Sequence, residues 1–134
     1  MKNRSKLLLL LGVLVMVFIS CEKNSGEGGN VTIAGSVWVK DYNSTFTLLH
    51  GEYAAMDEDV FIVYGNNIGY DDKTKTDYLG NYKFNYLRPG NYTIFVYSKD
   101  SAMQTVNGEI AIIEHVEITQ SKGVHIVPQI IIFK

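Results

Sequence analysis

The 134-residue chain has one cysteine, Cys21, so it cannot close a disulfide within itself. It has two prolines, Pro89 and Pro128, and one tryptophan, Trp38. It has no basic cluster: twelve Lys and Arg are scattered among fourteen Asp and Glu. A nucleic-acid surface needs such a cluster, so that class of partner is excluded. A phosphate-binding loop is also missing. The glycines at 26, 28 and 29 lie in a polar stretch, with no strand before them and no helix after them. No Ser/His/Asp arrangement stands out, and no pattern points to a cofactor. Beyond residue 20 no segment carries a helical apolar stripe.

What is present begins with a leader. Lys2, Arg4 and Lys6 precede an uncharged apolar run over 7–19, short for a membrane span and suited to a signal-peptide core. It ends Phe18-Ile19-Ser20-Cys21, which resembles the lipobox of bacterial lipoproteins. The resemblance implies cleavage before Cys21, a diacylglyceryl group on its thiol and an acyl group on the new amine. Phe18 stands where leucine is commoner. The expected organisation is a leader at 1–20, a flexible tether at 21–30 and one domain at 31–134. Removing Lys2, Arg4 and Lys6, and no acid, lowers the formal net charge of −2 by three, to −5. Such a chain does not bind anionic lipid by charge, so its membrane partner would be reached through the acyl chains. Glu22 after the cysteine, rather than aspartate, points to the outer membrane of a Gram-negative envelope.

The domain reads as strands. Residues 31–41, 59–65, 70–76, 82–87, 92–98, 109–119 and 124–133 alternate apolar and polar residues or run apolar between turn residues. Tyr82, Phe84 and Tyr86 share one face of one run, and Tyr92, Ile94 and Val96 one face of the next. The five residues 87–91 between them include Pro89 and Gly90, so the pair reads as an antiparallel hairpin at the centre of the fold. Gly35 and Ser36 interrupt the first strand, as at a bulge or a switch. Lys73 and Lys75 suit an edge strand, and Pro128 implies an edge or a bulge. A register shift is expected near Glu114. Residues 42–57 are left open between an extra hairpin and a helical turn. The expected fold is all-β, an antiparallel β-sandwich of about seven strands.

Thr76, Asp77, Gly80, Tyr82, Phe84, Leu87, Pro89, Gly90, Tyr92, Ile94 and Val96 together resemble the signature of carboxypeptidase regulatory-like domains. Those domains, also called peptidase-associated or Cna-B-like, are transthyretin-like (prealbumin-like) sandwiches. The resemblance implies a fold and is nearly silent on function. Leu79 departs from the usual Asp or Asn before the glycine. An isopeptide crosslink, found in some relatives, would need an Asn or Asp in the last strand to meet Lys40, and VHIVPQIIIF has none.

Two functional classes follow. Phe61, Phe95, Tyr97 and Trp38 fall on the outward parity of their strands, as a patch for a protein or glycan partner would. The competing arrangement has residues 42–57 folded over them. This class is a lipid-anchored, non-catalytic binding or scaffold module. The alternative is a metal-dependent accessory or enzymatic domain. It would use the acids at 57–59 and 71–72 for calcium, or His115 and His125 with Glu114 or Glu117 for zinc.

Overall fold

In a computed structural model, residues 24–134 are described. The expected leader at 1–20 and Cys21 lie outside the described residues. Among the described residues there are nine strands and no α-helix. They are β1 (Glu27–Tyr42), β2 (Leu49–Ala54), β3 (Asp59–Tyr64), β4 (Asp72–Lys75), β5 (Asn81–Leu87), β6 (Gly90–Lys99), β7 (Glu109–Ile118), β8 (Lys122–Ile126) and β9 (Ile130–Phe133). They form two sheets, the all-β sandwich that the alternation predicts. One has the order β4-β3-β6-β7. The other is built around β1, with β2, β5, β8 and β9 as its neighbours.

β1 is long enough to serve two sets of partners. Its first half pairs with β5 and β8, its second half with β2 and β9. The exchange happens around Gly35 and Ser36, where the sequence predicts an interruption. There Val37 N donates to Gly80 O at 2.8 Å, and Val37 O accepts from Ala55 N at 3.1 Å. β8 and β9 run parallel to β1, so the sandwich is not wholly antiparallel. Pro128 falls in the break between them, where no ladder bond is needed.

The core is the set of inward side chains that period-two alternation brings together. Val31, Ile33, Val37 and Val39 of β1 meet Val60 and Ile62 of β3 and Tyr92, Ile94 and Val96 of β6. Ile130 and Ile132 close one side. Gly35 leaves room for a large neighbour: a Cβ there would lie 2.5 Å from the Tyr82 hydroxyl and 2.7 Å from its ring.

Several expectations are corrected. The strands number nine rather than about seven, because 42–57 supplies β2 and the last strand is divided. Glu27–Asn30, expected within the tether over 21–30, belong to β1. Gly29 is needed there for close approach, not for flexibility: a Cβ would sit 2.1 Å from Leu87 O. The expected hairpin does not exist. β5 pairs with β1 and β6 pairs with β3 and β7, so the 87–91 connection carries the chain from one sheet to the other. Tyr86 does not face inward with Tyr82 and Phe84. It adopts φ +60° at a bulge opposite β1 and is 73% exposed, which turns Leu87 into the core in its place. β7 keeps one register along its whole length, so the shift expected near Glu114 is absent. Glu114 lies on the inward parity but remains partly accessible on this outermost strand.

Candidate functional site

The outer face of the β4-β3-β6-β7 sheet carries the aromatic cluster. Because Val60 and Ile62 point inward, Phe61 must point out, and register places it opposite Phe95. Their rings stack, with centroids 4.9 Å apart and planes 11° from parallel. Tyr97, two residues further along β6, packs edge-on against both, at 5.6 Å from each. Tyr70, just before β4, closes on Phe61 at 4.9 Å. The Lys73 ammonium stands 5.9 Å from the Phe61 ring centroid, within cation–π range. Ile113 of β7 continues the row beyond Phe95 and is 51% exposed. Tyr70 and Tyr97 are about half exposed.

Residues 42–57 do not cover this face. They form the turn after β1 and then β2, which pairs with β1 in the other sheet. Asn43 organises that turn: its Oδ1 accepts from Thr47 N and Leu48 N, and its Nδ2 donates to Thr45 and Thr47 hydroxyls. Of the four aromatic residues expected in the patch, Phe61, Phe95 and Tyr97 converge. Trp38 does not. It lies on the outer face of the β1 sheet, beside Ala54 and Ile131. Tyr70 and Ile113 are the members that sequence reasoning missed. Ile113 was visible as the outward parity of its strand, whereas Tyr70 sits in a loop and gives no periodic signal.

The residues proposed for metal are not brought together. Asp57 pairs with Lys75 at 3.1 Å, Asp59 with Lys73 at 3.6 Å, and Glu58 with Lys134. The Asp57 hydrogen bond raises the Lys75 pKa. Asp71 accepts from Tyr64 N at 2.6 Å and from Asn67 Nδ2 at 2.9 Å. His115 lies on the outer face of one sheet, its Nδ1 3.2 Å from the Thr93 hydroxyl, whereas His125 is on β8 in the other sheet. Among the described residues, no group of three or more His, Cys, Asp or Glu is placed to hold a metal ion. Lys40, considered for a crosslink, pairs instead with Glu52 at 3.4 Å.

The signature residues have structural work. Thr76 is buried; its hydroxyl accepts from Glu58 N at 2.8 Å and donates to Ala55 O. Asp77 closes the next turn by accepting from Leu79 N and Asn81 N, and these backbone donors hold its carboxyl below the usual range. Gly80 adopts φ +79°, with the Val37 carbonyl 2.5 Å from where a Cβ would be. Tyr92 completes a tyrosine corner: its hydroxyl donates to Arg88 O at 2.7 Å and accepts from Gly26 N at 2.9 Å. Elsewhere, buried Asp100 accepts from Ala102, Gln104 and Thr105 N and organises the loop before β7. Its carboxyl is likewise held low, Thr105 N contributing most.

Compared with known proteins, the sequence matches no family model and no curated protein. No helix among the described residues is long and apolar enough to cross a membrane.

Proposed function

We propose that this is a lipid-anchored protein of the cell envelope, held in the outer membrane by acyl chains on Cys21. Its sandwich is a non-catalytic module of the carboxypeptidase regulatory-like type. It receives a protein or glycan partner on the aromatic face around Phe61, Phe95, Tyr97 and Tyr70. The leader that ends at Cys21 supports the anchor, and the Thr76-to-Val96 signature supports the domain type. The observation that carries the binding role is an aromatic cluster left open on a sheet face. Rings offer a large contact area at low entropic cost, which is why aromatic residues are enriched in contact surfaces.

The test uses the full chain in intact cells, with a photo-crosslinking residue at position 97 or, as a control, at position 38. One discrete adduct is expected at 97 and none at 38, and Phe95→Ala should abolish it. Equal labelling at both positions, or none at 97, would remove the assignment. Labelled palmitate should enter the wild-type chain and not the Cys21→Ser chain; incorporation into both would remove the anchor. The metal-dependent alternative would gain its first support from stoichiometric zinc or calcium in the purified protein.

A further inference from the structure

The sheets expose several edges, and β7 differs from the rest. β4 has four residues and presents Lys73 and Lys75; β5 is bulged at Tyr86; β8 and β9 are broken apart at Pro128; β2 has six residues. Lysines, bulges, prolines and short strands are the devices that stop edges from pairing with another chain. β7 has none of these four; the one protective feature it carries is an inward-pointing charge, Glu114, which is still partly accessible. It runs ten residues, EIAIIEHVEI, in unbroken register with β6, and among the described residues it pairs with nothing else.

The hydrogen bonding shows which groups are free. Asp100 N donates to Gly108 O at 2.9 Å, and Gly65 N donates to Asn91 O at 2.8 Å. Both bonds require the even-numbered residues of β7 to bond to β6, because hydrogen-bonded pairs alternate along an antiparallel ladder. The N–H and C=O groups of Glu109, Ala111, Ile113, His115 and Glu117 therefore point off the sheet.

We propose that this edge pairs with β7 of a second copy of the chain, antiparallel and about a two-fold axis at Ile112. Edge-pointing residues must lie opposite edge-pointing residues, so only registers with a residue opposite itself are allowed. Centring on Ile113 sets Glu109 against Glu117, and centring on Glu114 sets two carboxylates face to face. Centring on His115 wastes Ile113 against Glu117, centring on Ala111 wastes it against Glu109, and centring nearer either end of the strand pairs fewer residues. Centring on Ile112 places Glu109 opposite His115 twice and Ala111 opposite Ile113 twice, with no like charges directly opposed. It covers half-exposed Ile113 and joins the two aromatic faces into one surface across eight strands. The arrangement is closed and isologous.

Pairing about seven residues a side buries less than the roughly 1,200 Å² of a standard interface, so the dimer is weak in dilute solution and forms where chains are concentrated. The anchor adds a constraint that rests on the function proposed above. Ser25 packs against Gly90, which lies opposite the Ile118 end of β7, so antiparallel pairing puts the two N-termini at opposite ends. Two anchors in one bilayer then lay the strands along the membrane.

The test places Ile112→Cys in the full-length chain in liposomes. A pair of this kind has Cα atoms about 4.5 Å apart, within disulfide range. Mild oxidation should give a disulfide dimer. Wild type, and Lys75→Cys on the β4 edge, should give none. Adding Ile113→Pro removes one edge donor without touching the β6 ladder and should abolish the dimer, as should Ile113→Lys, which keeps every donor. Circular dichroism checks that each variant is folded. Failure of folded Ile112→Cys to link, linking at 75 instead, or linking that survives both changes at 113 would overturn the proposal. Recovery of the chain with the liposomes and its palmitate label are read separately, so failure of the anchor and failure of the edge pairing are distinguishable.

Discussion

Tyr82 and Tyr92 lie on the inward faces of consecutive strands, and both are buried, at 4% and 2% exposure. The Tyr92 hydroxyl joins three pieces of chain: its own strand, Arg88 at the corner and Gly26 before β1. The Tyr82 hydroxyl is equally enclosed and has no hydrogen-bond partner among the described residues. Its ring is the useful part, filling the space that Gly35 leaves open. The same residue type at the same parity thus serves as a polar lock in one place and as a volume in the other. The distinction matters because a satisfied buried hydroxyl contributes stability, whereas an unsatisfied one costs it.

Substitutions can break this contrast. Gly35→Val should have the largest effect. It forces a side chain into the Tyr82 ring and should cost about 3 kcal/mol, read by urea denaturation. Tyr82→Phe in that background should return part of the loss, because the nearest clashing atom is gone. A full loss in the double variant would show that the crowding lies elsewhere. Next is Tyr92→Phe, which leaves Gly26 N and Arg88 O without their partner and should cost about 2 kcal/mol. A near-neutral result would mean the corner is held by its apolar packing alone.

Alkaline pH separates the tyrosines again. Burial raises both pKa values; at Tyr82 the Glu114 charge adds to the rise, and at Tyr92 the bonds to Gly26 and Arg88 pull it back. A raised tyrosine pKa means stability that is complete below pH about 10 and lost as pH climbs through the folded-state value. Tyr64 behaves likewise, pushed up to about 12 chiefly by burial, then by the charges of Glu27, Asp72 and Asp71. Tyr82→Phe should therefore move the alkaline unfolding midpoint upward, as a pH titration of ellipticity would show. An unchanged midpoint would mean that Tyr82 does not drive alkaline unfolding. The smallest effect is Tyr82→Phe at neutral pH, which should lie within about 0.5 kcal/mol of wild type or be more stable. A loss as large as that of Tyr92→Phe would dissolve the comparison.

Much of this was legible in the residues. Val60 and Ile62, and Tyr92, Ile94 and Val96, point inward as their alternation requires. The lysines of β4 mark an edge, and Pro128 marks an irregularity in the last strand, though not its division into β8 and β9. The outward parity of Phe61, Phe95 and Tyr97 was equally plain. What could not be read was sheet membership. Trp38 has the same outward parity as Phe95, yet the two rings lie on opposite sides of the molecule. The five residues 87–91 suit a hairpin, and only the bulge at Tyr86 and the corner at Tyr92 turn them into a crossing between sheets. Tyr86 carries no signal for its φ of +60°, since nothing in a tyrosine favours that region. Glu114 breaks an apolar pattern without breaking the register, because β7 is outermost and its inward side chains still reach water.

The amino-acid order alone determined which side chains lie inside and which outside, and where the strands begin to turn. That information is local: it follows from two-residue backbone periodicity and from turn chemistry within a few residues. Tertiary structure decided which strand lies beside which, and so which aromatic rings share a face. Those choices depend on contacts between residues far apart in the chain, where the close approach allowed by Gly35, Gly29 and Gly80 and the bonds of one tyrosine hydroxyl tip the balance.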